Sequence, residues 1–449
     1  MQEILDEIFK AYDIRGKVGT ELTPEVVEKI GYIFSNWLQG NGAIAVGRDM
    51  RPDSAELANA LINGVRKSGR DVIDIGQVTS DMIYFAVGNY HLAGGAMITA
   101  SHNPGEYNGI KLCKEEARPI GVESGLLDIK NEVLALTSLE TDEYGNCIEK
   151  DITEDWINHV LGFVNTNKLK PLKIAVDAGN GMAGKIFPEL EPYVPFDVHE
   201  MFFELDGTFP NHIANPLEPK NLVDIKKAIS AYSCDAGIAF DGDGDRAVLI
   251  DETGEALTGT VLTALLADYF LQKNPGATIL YNAICGKAAA NTIENNGGKA
   301  IRTKVGHSYI KADMRKHAAV MAGEHSGHYY FKDNYYADSG LIAAVIGLYV
   351  LSTSGKTLSA LAAPYRRAYV QIPETNFEVT NKEAVLLDIK TAYAGKKIDE
   401  LDGITVQFDS GWFNVRASNT EPLLRLNAEA KTQQELDAMV KKVTKIIKA

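Results

Sequence analysis

Three aspartates alternate with glycine in the segment DGDGDR: Asp241, Asp243 and Asp245, with Arg246 directly after them. Carboxylates crowded into one site raise each other's pKa, so a convergent trio calls for a cation. Hard oxygen donors select Mg²⁺ or Ca²⁺, and the glycines let the backbone bend until the oxygens converge. Arg246 beside the acids suits a phosphate oxygen shared with such a metal. A solvated acidic turn or an EF-hand loop has the same local pattern, and Glu252 stands where an EF-hand would place its last ligand. The flanking AGIAF and AVLI read as strands, however, whereas an EF-hand needs helices.

Four further segments carry reactive side chains. In TASHNP, Ser101 sits between the strand-like AMITA and the turn signal Asn103-Pro104. It is a turn serine, a hydrolase nucleophile beside His102, or a phosphate carrier. No G-x-S-x-G frame and no orienting acid support the hydrolase. Phosphorylation would add about −1.5 to −2 charges, which a divalent metal and nearby Arg or Lys can neutralise. Lys111, a few residues on, is a candidate for that pocket. GEHSGH supplies Glu324, Ser326 and His328, an acceptor set suited to sugar hydroxyls. Zinc on His325 and His328 is the competing reading, and a further His or Cys ligand is missing locally. RASNTEP supplies Arg416, Ser418, Asn419 and Thr420, either a nest for a phosphate dianion or a strand-end turn. Tyr12 and Arg15 lie in AYDIRG; Lys304, His307 and Lys311 lie in TKVGHSYIK, where His307 is a surface residue or a general acid/base.

Three similar units position these loops. Each starts with a short apolar run: Ile44–Asp49, Ile174–Asn180 or Ile279–Gly286. A helical pattern follows, beginning near Ser54, Met182 or Lys287. A second run follows (DVIDIG, FDVHEMF, KAIRTK), and then a third that ends in TASHNP, DGDGDR or GEHSGH. Apolar runs alternating with helical patterns predict α/β domains with mixed, mainly parallel sheets. The C-terminal part reads instead as a smaller α+β domain closed by an amphipathic helix from Gln433. The expected boundaries are 1–152, 153–257, 258–367 and 368–449.

Composition excludes whole classes. Hydrophobic residues at 45% and charged residues at 23% are ordinary globular values, so neither disorder nor a fibrous protein is expected. A formal charge of −15 argues against nucleic-acid and anionic-membrane partners. Four scattered cysteines without a C-x-x-C pair fit reduced thiols. The N-terminus lacks a basic and apolar leader pattern, and the longest apolar stretch, Leu341–Leu351, falls short of the ~20 residues that span a bilayer. A cytoplasmic protein with that stretch as a buried helix is expected.

Taken together and in order, TASHNP, DGDGDR, GEHSGH and RASNTEP resemble the α-D-phosphohexomutase superfamily over essentially the whole chain. AYDIRG and GEHSGH look most like its bacterial phosphomannomutase/phosphoglucomutase branch. The resemblance implies four domains around a central cleft. Its enzyme would reversibly convert hexose 1-phosphate (mannose, glucose or both) to hexose 6-phosphate through a phosphoserine and a hexose 1,6-bisphosphate. Phosphoglucosamine mutase, a metal-dependent sugar phosphatase and a non-catalytic sugar-phosphate binder are the alternatives. Ser101 would be the phosphoserine and, with Asp241, Asp243 and Asp245, hold Mg²⁺. Arg15, Lys111, Arg246 and His307 would stabilise charge or move protons. Tyr12, Glu324, Ser326 and His328 would bind substrate, and Arg416, Ser418, Asn419 and Thr420 the non-reacting phosphate. One position departs from the family pattern: Ile284 stands where a lysine is common, with Lys287 one helical turn on.

Overall fold

Each apolar run that opens a repeat becomes a buried parallel strand, and each stops where an Asp or Asn turns back on its own backbone. Strand Ile44–Arg48 gives way to Asp49, whose Oδ1 accepts from Arg51 N at 3.0 Å. Strand Leu172–Asp177 ends as Asp177 Oδ1 accepts from Gly179 N at 2.8 Å. Strand Thr278–Asn282 ends as Asn282 Oδ1 accepts from Cys285 N at 3.0 Å. Such local bonds offer the backbone an alternative to the sheet ladder. The strands close at Asp177 and Asn282, and the polar or Gly-rich turns that end the two runs, up to Asn180 and Gly286, lie beyond them.

The computed structural model describes residues 2–139, 143–418 and 423–448. It comprises two compact units. One runs to Leu257 and takes back Gly327–Ser359; the other comprises Thr258–Ser326 and the chain from Ala360.

In the first unit, strand Ile44–Arg48 is flanked by the parallel strands Val72–Gln77 and Gly94–Ile98. Gly94–Ile98 pairs antiparallel with Tyr107–Lys114, and that strand with Ile14–Lys17. The second repeat reproduces this order. Leu172–Asp177 lies between Phe196–Met201 and Ala236–Phe240, both parallel to it, and Ala236–Phe240 pairs antiparallel with Ala247–Asp251. In both repeats the third strand turns into the fourth through the loop of interest, TASHNP in one and DGDGDR in the other. The central strands are apolar at every position because both faces are covered. Helix Gly340–Ser354 is apolar all round and buried through most of its length, as expected for Leu341–Leu351. Among the described residues no single helix is long and apolar enough to cross a membrane.

In the second unit, Thr278–Asn282 lies between the parallel strands Lys299–Thr303 and Met321–Gly323, the third copy of the pattern. The C-terminal part is a six-stranded antiparallel sheet whose long members are Gly411–Ala417 and Leu423–Ala430. Helices Lys382–Ala392 and Gln433–Ile447 join its core, in which Phe413, Leu426, Leu436 and Val443 are buried. Three α/β domains and a C-terminal α+β domain are the fold class that the sequence pattern predicts.

Candidate active site

The loop between Gly94–Ile98 and Tyr107–Lys114 carries Ser101 in the left-handed region, at φ 52°. A non-glycine residue there costs about 1–3 kcal/mol and persists only where the surroundings over-determine it. Arg51 provides much of that constraint. Its side chain is wholly buried and makes four donations to loop carbonyls. Nη2 donates to Ser101 O at 2.9 Å and Asn103 O at 2.6 Å; Nη1 donates to Pro104 O and Tyr107 O, each at 2.8 Å. Asp49 holds the guanidinium from behind, with Arg51 Nε 3.3 Å from its Oδ2. Ser101 N donates to Thr99 Oγ1 at 2.9 Å.

Ser101 Oγ donates to Asp241 Oδ2 at 2.8 Å. The DGDGDR loop reaches this close because Gly242 has no side chain: a Cβ there would sit 2.5 Å from Ser101 O. Gly244, at φ 75°, then turns the chain so that Asp245 faces back. Ligand oxygens of Asp241, Asp243 and Asp245 all lie within 4.8 Å of one another, and all three residues are buried. Lys111 Nζ donates to Asp243 Oδ2 at 2.6 Å and Asp245 Oδ2 at 2.5 Å. Ser80 Oγ also donates to Asp243 Oδ2, at 2.5 Å. Arg246 Nε donates to Asp241 Oδ2 at 2.9 Å, and its Nη2 reaches Ser101 Oγ at 3.4 Å and His102 Nδ1. Arg15 pairs with Asp13 and donates to Asn103 Oδ1 at 2.7 Å.

Titration follows from crowding. Burial and then the charge of Asp245 push Asp241 up to about 7. Burial would also raise Asp245, but Lys111, His328 and Arg246 outweigh it and hold that carboxyl well below the usual range. Burial, with Arg246 and Arg15 nearby, drives His102 well below an ordinary histidine. Its neutral ring lies 3.1 Å from Ser101 Oγ through Nδ1, beside the Arg246 guanidinium rather than an orienting acid. Asp243 Oδ1 is buried and makes no hydrogen bond. Three carboxyl groups here face two cationic side chains, Lys111 and Arg246. An unsatisfied carboxylate oxygen amid converging acids fits a divalent cation. Glu252 is not a ligand: its oxygens cap helix Leu358–Arg366 through Ser359 N at 3.1 Å and Ser359 Oγ. This removes the EF-hand reading.

His328 lies in the first unit, its Nε2 3.5 Å from Asp245 Oδ1. Tyr12 is half-buried in the same unit. Ligand atoms of Asp245, His328 and Asp338 also lie within 4.8 Å of one another. The second unit contains the other expected residues. Glu324 is buried, with Oε2 accepting from Asn282 Nδ2 at 3.0 Å, and half-buried Ser326 closes the segment. His325 Nδ1 lies 3.3 Å from Thr260 Oγ1. His307 opens helix His307–Lys316, and Lys304 Nζ sits 5.3 Å from the Tyr309 ring centre. Arg416 is nearly buried and donates to Glu374 Oε2 at 3.1 Å, while its Nε makes no hydrogen bond. Ser418 N donates to Leu423 O at 2.8 Å. Asn419 and Thr420 lie outside the described residues.

Sequence reasoning missed Arg51, Ser80 and Asn282. Arg51 lies three residues past the end of Ile44–Arg48 and Asn282 is the last residue of its strand, positions that mark them as near loops but do not say which loops. Arg51→Lys keeps the charge but not the planar fork that reaches four carbonyls. Its kcat is expected to fall about 10–100-fold and its Tm by several degrees, since hydrogen bonds from a charged group contribute about 1.5–3 kcal/mol each. Wild-type kcat and Tm together would remove the clamp.

Comparisons with known proteins match the whole arrangement. Four family models cover the chain in order: the phosphoglucomutase/phosphomannomutase alpha/beta/alpha domains I, II and III at residues 6–138, 154–254 and 258–368, and the C-terminal domain at 374–446. The chain is 40% identical over 425 residues to phosphohexose mutases of Xanthomonas campestris, covering 94% of this chain and 95% of the relative. It is 37% identical over 453 residues to a phosphomannomutase of Vibrio cholerae, covering 98% of each. A crystal structure of a phosphoglucomutase/phosphomannomutase family protein from Burkholderia thailandensis superposes with a TM-score of 0.90 at 32% identity, covering 98% of this chain and 97% of that one. With all four domain models matched in sequence and the fold shared along its length, the chain belongs to the phosphoglucomutase/phosphomannomutase family of α-D-phosphohexomutases.

Proposed function

We propose that this phosphohexomutase interconverts hexose 1-phosphates and hexose 6-phosphates, with mannose or glucose as the sugar, and that Ser101 carries the phosphoryl group. The observation behind this is Ser101 Oγ, held 2.8 Å from Asp241 within the aspartate trio and clamped in a strained conformation. In the first half-reaction the Oγ–P bond of phospho-Ser101 breaks, and a bond forms between phosphorus and the sugar 6-oxygen. The hydroxyl proton leaves to a base, for which His307 is the candidate. The product, hexose 1,6-bisphosphate, turns over. Its 1-phosphoryl group then passes to Ser101 Oγ, the C1 oxygen takes a proton, and hexose 6-phosphate leaves.

Phosphoryl transfer asks the protein for positioning and charge stabilisation. Asp241, Asp243, Asp245 and the Ser101 side chain would hold Mg²⁺, which when bound neutralises charge on the transferring group. Arg246 and Lys111 face the same oxygens, and Arg15 steadies the loop at Asn103. Glu324, Ser326 and His328 would read sugar hydroxyls, with Tyr12 assisting. Arg416, Ser418, Asn419 and Thr420 would hold the phosphate that does not react. The ligand turns end for end, so that last set must recognise phosphate and little else.

The test is a coupled mutase assay with mannose, glucose and glucosamine 1-phosphates, Mg²⁺ and bisphosphate activator, alongside intact mass for phosphoserine. Hexose 6-phosphate formation by a singly phosphorylated chain is expected. Release of free phosphate without isomerised sugar would replace this reading with a phosphatase, and exclusive glucosamine turnover with a phosphoglucosamine mutase. Arg416→Ala is expected to raise KM about 10–100-fold with a smaller change in kcat, because a charge-assisted phosphate contact is made in ground and transition states alike. An unchanged KM would remove Arg416 from phosphate binding.

A further inference from the structure

Parallel pairing places the end of one strand beside the residue that follows a shorter neighbour. In the second unit Tyr281 lies opposite Gly323. The next pair along, at the carboxyl ends where α/β sheets present their ligands, is Asn282 and Glu324. Asn282 is fully buried. Its Nδ2 donates to Glu324 Oε2 at 3.0 Å, and its Oδ1 accepts from Cys285 N at 3.0 Å and His325 N at 3.5 Å. One amide thus holds a carboxylate, the backbone beyond it and the turn that closes its own strand.

The surroundings reinforce that hold. Gly286 N donates to Thr260 Oγ1 at 2.9 Å, the same hydroxyl that approaches His325. Cys285 Sγ donates to Gly323 O at 3.6 Å, and burial pushes this thiol up to about 12, so it keeps its proton. Gly259 lets helix Gly259–Lys273 approach the loop, since a Cβ there would fall 2.3 Å from Glu324 O. Ile284 is buried and brings no charge. Asn282 orients Glu324 through a neutral amide donor, which fixes one carboxylate oxygen and brings no charge of its own.

We infer that Asn282 is a positioning residue for sugar recognition, acting through Glu324. The inference rests on the reading of Glu324 as a sugar contact. It predicts non-additivity, because a residue that acts only through another adds nothing once that other is gone.

The experiment measures kcat, KM and Tm for hexose 1-phosphate turnover in Asn282→Ala, Glu324→Gln and the double variant. Asn282→Ala is expected to lower kcat/KM about ten-fold, mostly through KM, and Glu324→Gln by more. The double variant should fall within about two-fold of Glu324→Gln alone. Where Asn282→Ala does not fold, Asn282→Ser keeps an oxygen near Cys285 N but cannot reach Glu324, and the same pattern is expected of it. Losses that multiply in the double variant, or a folded Asn282 variant with wild-type kcat/KM beside an impaired Glu324→Gln, would overturn this inference alone. Wild-type kcat/KM in Glu324→Gln would overturn the sugar-contact reading and this inference with it.

Discussion

Ser101→Ala is expected to leave no measurable mutase turnover, a loss of at least ~10⁴, even with hexose 1,6-bisphosphate supplied. In the proposed cycle the Ser101 oxygen is the atom to which phosphorus is bonded in one half-reaction, and alanine has no atom to take its place. The His102 ring has its Nδ1 turned to Ser101 Oγ and to Arg246. The fold should barely notice. The backbone of the loop is held by Arg51 through carbonyl oxygens that alanine retains, and the lost Ser101–Asp241 bond is worth about 1 kcal/mol. Intact mass should show a phosphorylated wild type and an unmodified variant. Wild-type turnover by Ser101→Ala would sink the phosphoserine assignment.

Chelation is the second large effect. Removing divalent metal is expected to lower kcat by at least ~10³ and Mg²⁺ to restore it, since charge stabilisation of the transferring group is the main contribution asked of the site. Asp243→Asn should lose as much without rescue at ordinary Mg²⁺ concentrations. A stability measurement separates a ligand role from a structural one. In the metal-free protein the carboxylates repel one another, and Asp243 Oδ1 is buried without a hydrogen bond. Exchanging Asp243 for Asn relieves part of that strain while costing part of the Lys111 ion pair, for a net change within about 1 kcal/mol. Metal should stabilise the wild type by about 2.7 kcal/mol at a hundred times its Kd and the variant far less. Activity that survives chelation, or an equal metal-induced gain in both proteins, would remove the trio as a metal site.

Legibility from sequence followed the range of the interaction. DGDGDR could be read because three ligands and the glycines that bend them lie within six consecutive residues, and the structure brings their oxygens together. TASHNP by itself reads as a turn, and the structure sets its serine beside Asp241 and Arg246, which lie over a hundred residues on; the phosphate-carrier role proposed for Ser101 draws on that company. The alternation of apolar runs and helical patterns predicted the fold class. It does not report the Asx bonds that stop the strands at Asp177 and Asn282, ahead of the turn residues that close those runs. Glu252 has the spacing of an EF-hand ligand, the strand-like flanks speak against that reading, and its carboxylate caps a helix instead.

The sequence by itself determined the aspartate trio, the TASHNP, GEHSGH and RASNTEP motifs and the repeated α/β pattern. Those properties are local, set by residue type and short spacing. Tertiary structure alone decided that Arg51 clamps the Ser101 loop, that Ser80 and Lys111 meet Asp243, and that Asn282 orients Glu324. Each of these depends on the register of strands or on packing between repeats. Both are set by how buried faces fit together, and no spacing along the chain records them.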